Sequence, residues 1–479
     1  MWLGLDIGTS AVKAVLVDAD DAVVSEASHP VPVSRPRQGW SEQDPADWWS
    51  ATDAAVRSLD PHARAAVRAV GLAGQMHGAT LLDAQDRVLR PAILWNDGRA
   101  EAECTELEAA APDSRAITGN AAMPGFTAPK LLWVRRHEPE VFRATARVLL
   151  PKDHVRLQMT GDYATDVADA SGTLWLDVSR RRWSAAMLGA CGLDERAMPG
   201  LFEGTQFTGA LRPEVAADWG MPAAPVAAGG GDNAAGAVGS GVVAPGDAFL
   251  SLGTSGVLFA AGDRFQPVTD SGAHAFCHAL PERWCQMAVI LSAASALTWA
   301  TRACGFADER AALAAAARHA PFAGPELFLP YLSGERTPHN DPHTRGAWIA
   351  LDHDSDPGRL IMAVLEGVAF AFADGWDALA HAGTAIRRVS VIGGGARSEL
   401  WGRILASALD QPLDHRQDAH LGPAFGAARL ARVAGGEDIT AVATPPLLER
   451  QVPPDPVLRA RALPKLARFR ALYPALKGL

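Results

Sequence analysis

One acidic residue stands at the end of a glycine run in the middle of the chain. Residues 228–239 read Ala-Gly-Gly-Gly-Asp-Asn-Ala-Ala-Gly-Ala-Val-Gly, so Asp232 and Asn233 follow three glycines and precede small residues. The apolar residues 225–228 predict a strand before the glycines, and the small residues predict a helix after them. Ligands often bind at such strand-to-helix turns in α/β sheets. Asp is also a frequent helix N-cap, so Asp232 is a candidate for either a ligand-site carboxylate or a cap.

A Gly-Thr-Ser tripeptide occurs twice, each time between apolar segments that predict strands. The first copy lies between the predicted strands Trp2–Ile7 and Ala11–Val17, and the second lies in residues 249–258, Phe-Leu-Ser-Leu-Gly-Thr-Ser-Gly-Val-Leu. Turn amides that converge on an anion make a phosphate site, and the hydroxyls add donors. The two copies predict a duplicated domain whose two hairpins face one cleft. The predicted phosphate-site residues are Gly8, Thr9, Ser10, Gly253 and Thr254.

Two charged residues flank the first hairpin. Asp6 stands inside an apolar strand, where a charge is costly unless it is paired, so we expect it to hold a water or Mg²⁺ beside the phosphates. Its alternative role is a turn-capping carboxylate. Lys13 follows the hairpin and could offset phosphate charge, or it could be a solvated strand residue.

A second glycine run, residues 393–395, ends the predicted strand Arg388–Ile392 and precedes a predicted helix at 399–409. Bare backbone at Gly394 and Gly395 would let an adenine or ribose lie close to the chain. Ser398 is a candidate hydrogen-bond donor to the same nucleoside. A single glycine run is weak support by itself, and the two hairpins strengthen it.

Met76, His77 and Trp95 lie on loops that close the first half of the chain. His77 could hydrogen-bond a sugar hydroxyl, and Trp95 could cover an apolar sugar face. A satisfied core histidine and a packed tryptophan are the alternatives. Taken together, the hairpins, glycine runs and carboxylates indicate phosphoryl transfer from ATP to a small polyol, with Asp232 as the group that takes the acceptor hydroxyl's proton.

The composition excludes several classes of protein. The chain has 479 residues, 48% of them hydrophobic and 20% charged, with a formal net charge of −10. A globular protein of more than one domain is expected, and the acidic balance argues against nucleic-acid and anionic-membrane partners. The five cysteines form no CxxC pair, which is typical of free thiols in a reducing compartment. Without a signal peptide or a spanning segment, we expect a cytoplasmic protein.

Several longer blocks resemble the FGGY carbohydrate kinases, which belong to the sugar-kinase branch of the superfamily that includes actin, heat-shock chaperones and hexokinase. Residues 125–134 are similar to the first family signature, and residues 346–366 are similar to the second. Ala350 and Arg359 depart from the second signature, which we expect to alter local packing only. The resemblance implies an α/β fold of two actin-like (ribonuclease H-like) domains around a central nucleotide and sugar cleft. We expect the domains to comprise residues 1–242 and 243–479.

Further blocks are similar to those of family members that act on D-xylulose, namely residues 41–45, 74–83, 93–99, 230–235 and 331–340. Glycerol kinases have Arg-Glu where this chain has Met76-His77. The resemblance therefore implies ATP-dependent phosphorylation of D-xylulose to D-xylulose 5-phosphate, possible dimerisation, and Mg²⁺ near Asp6 and Asp232. It implies Asp232 as base, ketose contacts from Met76, His77 and Asn233, and an ATP site that contains Gly8–Ser10, Gly253, Thr254, Gly394 and Ser398. A kinase for another ketopentose or polyol, and a non-catalytic nucleotide-gated sugar sensor, are the alternatives.

Overall fold

The structure is a computed structural model that describes residues 1–417 and 422–478. The strands, in chain order, are β1 (Trp2–Ile7), β2 (Ala11–Val17), β3 (Val23–Pro30), β4 (Glu42–Gln43), β5 (Ala69–Gly74), β6 (Thr80–Leu82), β7 (Ala92–Ile93), β8 (Arg147–Leu149), β9 (Ala164–Asp166), β10 (Leu176–Asp177), β11 (Arg182–Trp183), β12 (Gly200–Phe202), β13 (Phe207–Ala210), β14 (Pro225–Ala227), β15 (Gly230–Gly231), β16 (Asp247–Leu252), β17 (Gly256–Gly262), β18 (His274–Cys277), β19 (Trp284–Ile290), β20 (Leu327–Leu329), β21 (Ala347–Ile349), β22 (Arg388–Ile392), β23 (Leu413–Arg416) and β24 (Leu448–Val452).

The helices, in chain order, are α1 (Pro45–Arg57), α2 (Pro61–Arg64), α3 (Glu101–Ala110), α4 (Ser114–Thr118), α5 (Thr127–His137), α6 (Pro139–Ala144), α7 (Pro151–Thr160), α8 (Val167–Ser171), α9 (Ala185–Ala190), α10 (Pro213–Trp219), α11 (Asp232–Gly239), α12 (Ala294–Ala303), α13 (Glu309–Ala316), α14 (Pro357–His381), α15 (Glu399–Leu409), α16 (Gly422–Ala434), α17 (Ile439–Val442) and α18 (Pro456–Leu476). Short 3-10 helices lie at Glu195–Ala197, Thr269–Ser271 and Gly394–Arg397.

Two sheets with the same strand pattern form the centre of the molecule. The first has the order β13-β14-β5-β1-β2-β3, with β15 also paired to β5. The second has the order β18-β19-β17-β16-β22-β23-β24. In each sheet an antiparallel hairpin (β1-β2 or β16-β17) leads to a parallel strand beside its first member (β5 or β22). The duplication predicted from the two Gly-Thr-Ser hairpins therefore matches the topology.

The sequence punctuation explains where these elements begin and end. The side chain of Asp44 accepts a hydrogen bond from the amide of Ala46 and caps α1, which begins at Pro45. Strands β1, β2 and β22 and helix α15 have the predicted bounds. The region from 120 to 224 folds into short helices and strand pairs.

Helices α11 and α16 cross at the junction of the two halves. A Cβ on Gly426 would lie 1.7 Å from the carbonyl oxygen of Ala235, so the helix backbones are in direct contact. Helix α16 also packs on the first sheet, where a Cβ on Gly4 would lie 1.9 Å from the carbonyl oxygen of Ala424. Small residues on α16 therefore serve close packing. The domain boundary between Val242 and Val243 stays a prediction. Helix α16 lies after this boundary in the sequence, but it packs on the sheet of the first half.

Candidate active site

The register of the first sheet brings the two predicted carboxylates to one edge. Strand β5 pairs in parallel with β1 on one side and with β15 on the other, so Ala73 lies opposite both Asp6 and Gly230. Asp232 comes two residues after Gly230 and begins α11. Parallel strands present their carboxyl ends at the same edge, where α/β folds bind ligands. Asp6 and Asp232 thus lie near each other, one strand apart, and the charge of Asp232 raises the pKa of Asp6.

The glycines before Asp232 are required by neighbouring protein atoms. Gly229 has a φ of +81°, and a Cβ there would lie 1.8 Å from the carbonyl oxygen of Leu72. A Cβ on Gly231 would lie 2.8 Å from the side chain of Met76. The buried guanidinium of Arg156 fixes the start of the segment by donating to the carbonyl oxygens of residues 227 and 228, at 3.1 and 2.5 Å. The glycine run therefore sets the position of Asp232 through close packing.

Asp232 does not act as a helix cap. Gly231 occupies the cap position, and no side-chain capping bond forms at this helix start. The Oδ1 atom of Asp232 accepts hydrogen bonds from the amide and the side chain of Asn233, at 2.7 and 2.9 Å. Burial raises the pKa of Asp232 to about 6, against the lowering effect of these two bonds. The carboxylate is still mostly ionised at neutral pH and is a stronger base than an exposed Asp.

Asp6 has an unsatisfied oxygen at the floor of the same site. Its Oδ1 atom is buried and has no hydrogen-bond partner among the described residues. Burial, and then the charge of Asp232, raise the pKa of Asp6 to about 7. Lys13 lies opposite Asp6 on β2 and lowers that pKa, but its ammonium pairs with Glu26 at 3.2 Å. This ion pair on the strand surface agrees with the alternative considered for Lys13, a solvated strand residue.

His77 is held in an unusual backbone conformation by a network of bonds. Its φ is +69°, which is uncommon outside glycine and often marks a functional site. The carbonyl of His77 accepts from Lys130 Nζ at 2.9 Å and Thr127 Oγ1 at 3.2 Å. Its Nδ1 lies 2.6 Å from the carbonyl oxygen of Gly172, which can only accept, so Nδ1 carries the proton. Nε2 is therefore an acceptor for a ligand hydroxyl.

Burial, together with nearby cations, keeps the His77 ring neutral. Burial, and then the charges of Lys130 and Arg336, lower the pKa of His77 to about 3. Met76 is also buried, and its side chain lies between Gly231 and Gly172. Met76 thus connects the Asp232 turn with the carbonyl that orients His77.

A small cavity adjoins His77 at the junction of the two halves. Its volume is about 10 Å³, and it is lined by His77, Trp95, Met123, Gly125, Phe126 and Arg336. Arg336 comes from the second half, and its Nη1 atom lies 3.3 Å from Nε2 of His274. His274 Nδ1 lies 2.9 Å from Asn120 Oδ1 in the first half. A guanidinium from one half therefore faces the predicted sugar residues of the other.

The first Gly-Thr-Ser hairpin connects to this cavity through side chains. Thr9 Oγ1 accepts from Trp95 Nε1 at 3.0 Å and donates to Gln75 Oε1 at 3.0 Å. Gly8 donates its amide to the carbonyl of Ala11 at 3.1 Å and closes the tip. Ser10 is exposed. The hairpin tip and the Trp95 ring are thus parts of one bonded unit.

The second hairpin is anchored on α12. The carbonyl of Thr254 accepts from the amides of Ala293 and Ser295 at 3.0 and 3.2 Å, and that of Gly253 accepts from Ala294 at 2.8 Å. The side chain of Thr254 is left exposed. Beside this hairpin, β16 pairs with β22, whose carboxyl end runs into the glycine run at 393.

A cavity of about 840 Å³ opens beside the second glycine run. It is lined by residues from β22, β23 and β24 and by Gly393 and Gly394. A Cβ on Gly395 would lie 2.6 Å from the side chain of Leu252, whereas one on Gly394 would meet no atom within 4 Å. Gly394 is therefore the glycine with open space over it, and Gly395 packs on β16. Ser398 caps α15 by accepting from the amide of Trp401 at 3.3 Å.

Comparison with known proteins assigns the chain to a family. Residues 1–239 match the N-terminal domain, and residues 248–435 the C-terminal domain, of the FGGY family of carbohydrate kinases. The chain belongs to this family. It is 54% identical to the xylulose kinase of Escherichia coli over 100% of both chains. The sequence-based prediction of the family is confirmed.

Solved structures of related enzymes have the same fold. The crystal structure of a xyloylose kinase from Brucella ovis has a TM-score of 0.96 and 51% identity and covers 99% of each chain. That of xylulose kinase from Rhodospirillum rubrum has a TM-score of 0.91 and 31% identity, and covers 99% of this chain and 98% of its own. The predicted α/β fold of two actin-like domains is confirmed.

The described residues contain neither a membrane-spanning helix nor a cluster of metal ligands. None of the helices in residues 1–417 and 422–478 is both long and apolar enough to cross a membrane. In the same residues, no group of three or more His, Cys, Asp or Glu side chains is arranged to hold a metal ion. Asp6 and Asp232 supply two carboxylates. Mg²⁺ often binds one or two protein carboxylates when phosphates complete its coordination shell.

Three residues of the site carry no role in the sequence-based prediction. Arg336, Gln75 and Lys130 all lie inside blocks that resemble the family, but their roles are visible only from their positions beside the cavity, Thr9 and His77. Thr127 and Lys130 belong to the block at 125–134, and both donate hydrogen bonds to the carbonyl of His77. This block therefore holds the backbone of His77 in place.

Proposed function

We propose that the protein is an ATP-dependent sugar kinase that phosphorylates D-xylulose to D-xylulose 5-phosphate. The observation that carries the proposal is the pair of carboxylates Asp232 and Asp6, which lies near the cavity lined by His77 and Trp95. The side chain of Asp232 does not cap its helix, and the Oδ1 atom of Asp6 has no hydrogen-bond partner among the described residues. Two relatives that match over the full chain, at 54% and 52% identity, are xylulose kinases.

Asp232 is the base in this proposal. As the sugar hydroxyl oxygen bonds to the γ-phosphorus of ATP, its proton passes to the Asp232 carboxylate, and the bond from the γ-phosphorus to the bridging oxygen breaks to release ADP. Burial raises the pKa of Asp232 to about 6, which brings the base nearer to neutral pH. Asn233 holds the carboxylate through two hydrogen bonds and orients it.

The sugar contacts in this proposal come from Met76, His77, Trp95 and Asn233. His77 accepts a sugar hydroxyl at Nε2, because its Nδ1 proton is directed to the Gly172 carbonyl. Trp95 covers an apolar face of the sugar, and Met76 fills the floor between two glycines. The neutral imidazole is a suitable partner for an uncharged ketopentose.

The nucleotide site in this proposal uses both hairpins and the second glycine run. The turns of the two hairpins surround the phosphates and contain Gly8, Thr9, Ser10, Gly253 and Thr254. The nucleoside lies over Gly394, near Gly395 and Ser398. Lys13 remains in the proposal as a distant compensating charge only, since it pairs with Glu26. Asp6 and Asp232 would hold Mg²⁺, which would neutralise phosphate charge when bound. The unpartnered Oδ1 of Asp6 fits that assignment.

A homodimer in the cytoplasm and the absence of nucleic-acid partners remain predictions. The second candidate function, a non-catalytic sugar sensor, has no observation in its favour, because a sensor does not need a base at Asp232. A kinase for another ketopentose or polyol differs from the proposal only in the sugar pocket.

A coupled ADP-release assay with MgATP tests the proposal. The panel is D-xylulose, L-xylulose, D-ribulose, L-ribulose, glycerol and a control without sugar. We expect kcat/KM to be highest for D-xylulose. A higher value for another sugar would contradict the substrate assignment and keep the kinase, whereas ADP release that does not depend on sugar would contradict the kinase itself.

A further inference from the structure

The hydroxyl of Thr9 is enclosed in a chain of side-chain hydrogen bonds. It lies 3.0 Å from both Trp95 Nε1 and Gln75 Oε1. Gln75 Nε2 donates to Gln43 Oε1 at 2.8 Å, and Trp48 Nε1 donates to the same oxygen at 3.0 Å. The other amide of the chain, Gln43 Nε2, donates to the carbonyl of Thr9 at 2.7 Å.

Two indole groups fix the direction of every bond in this chain. An indole N–H can only donate, so Trp48 requires the oxygen of Gln43 to face it. Gln75 must then present its NH₂ group to that oxygen and its own oxygen to Thr9. The second indole, Trp95, donates to the Thr9 oxygen from the other side. The single hydroxyl proton of Thr9 is therefore directed to Gln75.

We propose that Thr9 is a positioning residue for the sugar pocket and not a hydroxyl donor to the nucleotide phosphates. The proposal rests on the function proposed above. Thr9 holds the ring of Trp95, which lines the cavity with His77 and Arg336. It also holds Gln75, which immediately precedes Met76 and His77. The exposed hydroxyl of Ser10, at the same hairpin tip, is the one free to reach a phosphate.

The consequence is a separation of effects along one hairpin. Thr9→Val keeps the side-chain shape but leaves the Trp95 N–H and the Gln75 oxygen without their partner. We expect the KM for sugar to rise about two- to tenfold, the range for one or two lost hydrogen bonds. The KM for ATP should stay unchanged. Ser10→Ala should raise the KM for ATP and leave the KM for sugar unchanged.

Steady-state kinetics of Thr9→Val, Ser10→Ala and three further variants test this separation. Trp95→Phe, which keeps an aromatic ring and removes the donor, should reproduce the effect of Thr9→Val. Thr9→Ser, which restores the hydroxyl, should bring the sugar KM back toward the wild-type value. Trp219→Phe is the matched control, because its buried indole also donates to a side-chain oxygen, Asp53 Oδ1 at 2.8 Å, away from the site. A rise in the ATP KM of Thr9→Val that exceeds the rise in its sugar KM would overturn the proposal.

A measurement without turnover separates this proposal from the proposed function. Hydrogen exchange of the Trp95 indole N–H, assigned by loss of its NMR signal in Trp95→Phe, should be slow in the wild-type protein and faster in Thr9→Val. Fast exchange in the wild-type protein would overturn the positioning role even if Thr9→Val did not fold. If the wild-type protein showed slow exchange but no kinase activity with any sugar, the bonded network would stand and the proposed function would fail.

Discussion

Among single residues, Asp232 is the one whose loss should remove chemistry without removing binding. Asp232→Asn keeps the shape and the turn but cannot take the sugar proton. We expect kcat to fall about 10²- to 10⁴-fold, the usual contribution of a general base. The dissociation constant for D-xylulose, measured by calorimetry without ATP, should change little.

Asp247→Asn is the matched control for this change. Asp247 is also a mostly buried aspartate, but it lies at the amino end of β16 and pairs with Arg388 at 2.8 Å. Its variant should keep wild-type turnover. If Asp232→Asn retained more than about a tenth of the wild-type kcat, Asp232 would be excluded as the general base.

The pKa of Asp232 predicts an acid limb in the activity profile. The base must be ionised to accept a proton, so kcat/KM should fall as the pH drops through the pKa of about 6 in the free enzyme. Asn233→Ala removes a hydrogen bond that lowers this pKa, so its limb should lie at higher pH. The measurement is kcat/KM for D-xylulose from pH 5 to 9 in both proteins. A limb that did not move, or that moved to lower pH, would contradict the assignment.

Residue types were predictable from the sequence, but the contacts they make were often not. Asp6, Asp232, Met76 and His77 lie together as expected, because strand register is set by local patterns. The glycines before Asp232 lie at a turn where a ligand was expected, but protein atoms of Leu72 and Met76 pack closely against them. The Thr9 hydroxyl bonds to side chains 66 and 86 positions away, and such pairings depend on the packed fold.

At the scale of elements, a buried charge cluster joins α7 to α8 beneath the sugar pocket. Lys152 Nζ on α7 lies 2.5 Å from Asp153, 2.7 Å from Asp166 and 3.2 Å from Asp169, and all four side chains are fully buried. Helix α8 leads directly to Gly172, whose carbonyl orients His77. The cluster therefore fixes the helix that positions a predicted substrate contact.

Removal of the cation should be far more costly than removal of one carboxylate. Lys152→Met leaves buried carboxylates without their counter-charge, and we expect the free energy of unfolding to fall by about 3–5 kcal/mol. Burial raises the pKa of Asp169 well above its usual value, and its carboxylate is the farthest of the three from Lys152 Nζ, at 3.2 Å. Asp169→Asn should thus change stability little. Urea unfolding of both variants gives the comparison.

A second buried pair provides the control for the effect on sugar binding. Lys465 and Glu366 pair at 2.5 Å in the second half, away from the sugar pocket. Lys465→Met should destabilise the protein in a similar way but leave the sugar KM unchanged, whereas Lys152→Met should also raise the sugar KM. Equal stability of Lys152→Met and Asp169→Asn would contradict the charge assignment.

At the scale of the whole molecule, the two halves meet where α16 reaches from the second half onto the first. Besides the contact with α11, Arg429 and Arg432 of α16 pair with Asp21 in the turn after β2, at 2.6 and 2.8 Å. Arg429 also donates to the carbonyls of residues 238 and 239 at the end of α11. The contact between α11 and α16 is thus fixed by backbone packing and by charge, and it joins the two halves together with other contacts such as the bond between His274 and Asn120.

The crossing predicts opposite outcomes for two glycines that face it. Gly426→Ala places a methyl group 1.7 Å from the carbonyl oxygen of Ala235, so the helices must separate. We expect a loss of about 1–3 kcal/mol in the free energy of unfolding, as for other overpacked contacts, together with lower kcat because the base Asp232 begins the helix that is displaced. Gly236→Ala, on α11, would meet its nearest atom at 3.8 Å and should be neutral or slightly stabilising, since alanine favours a helix. Thermal unfolding and turnover of the two variants test the point. Equal stability of the two would mean that the helices do not cross in direct contact.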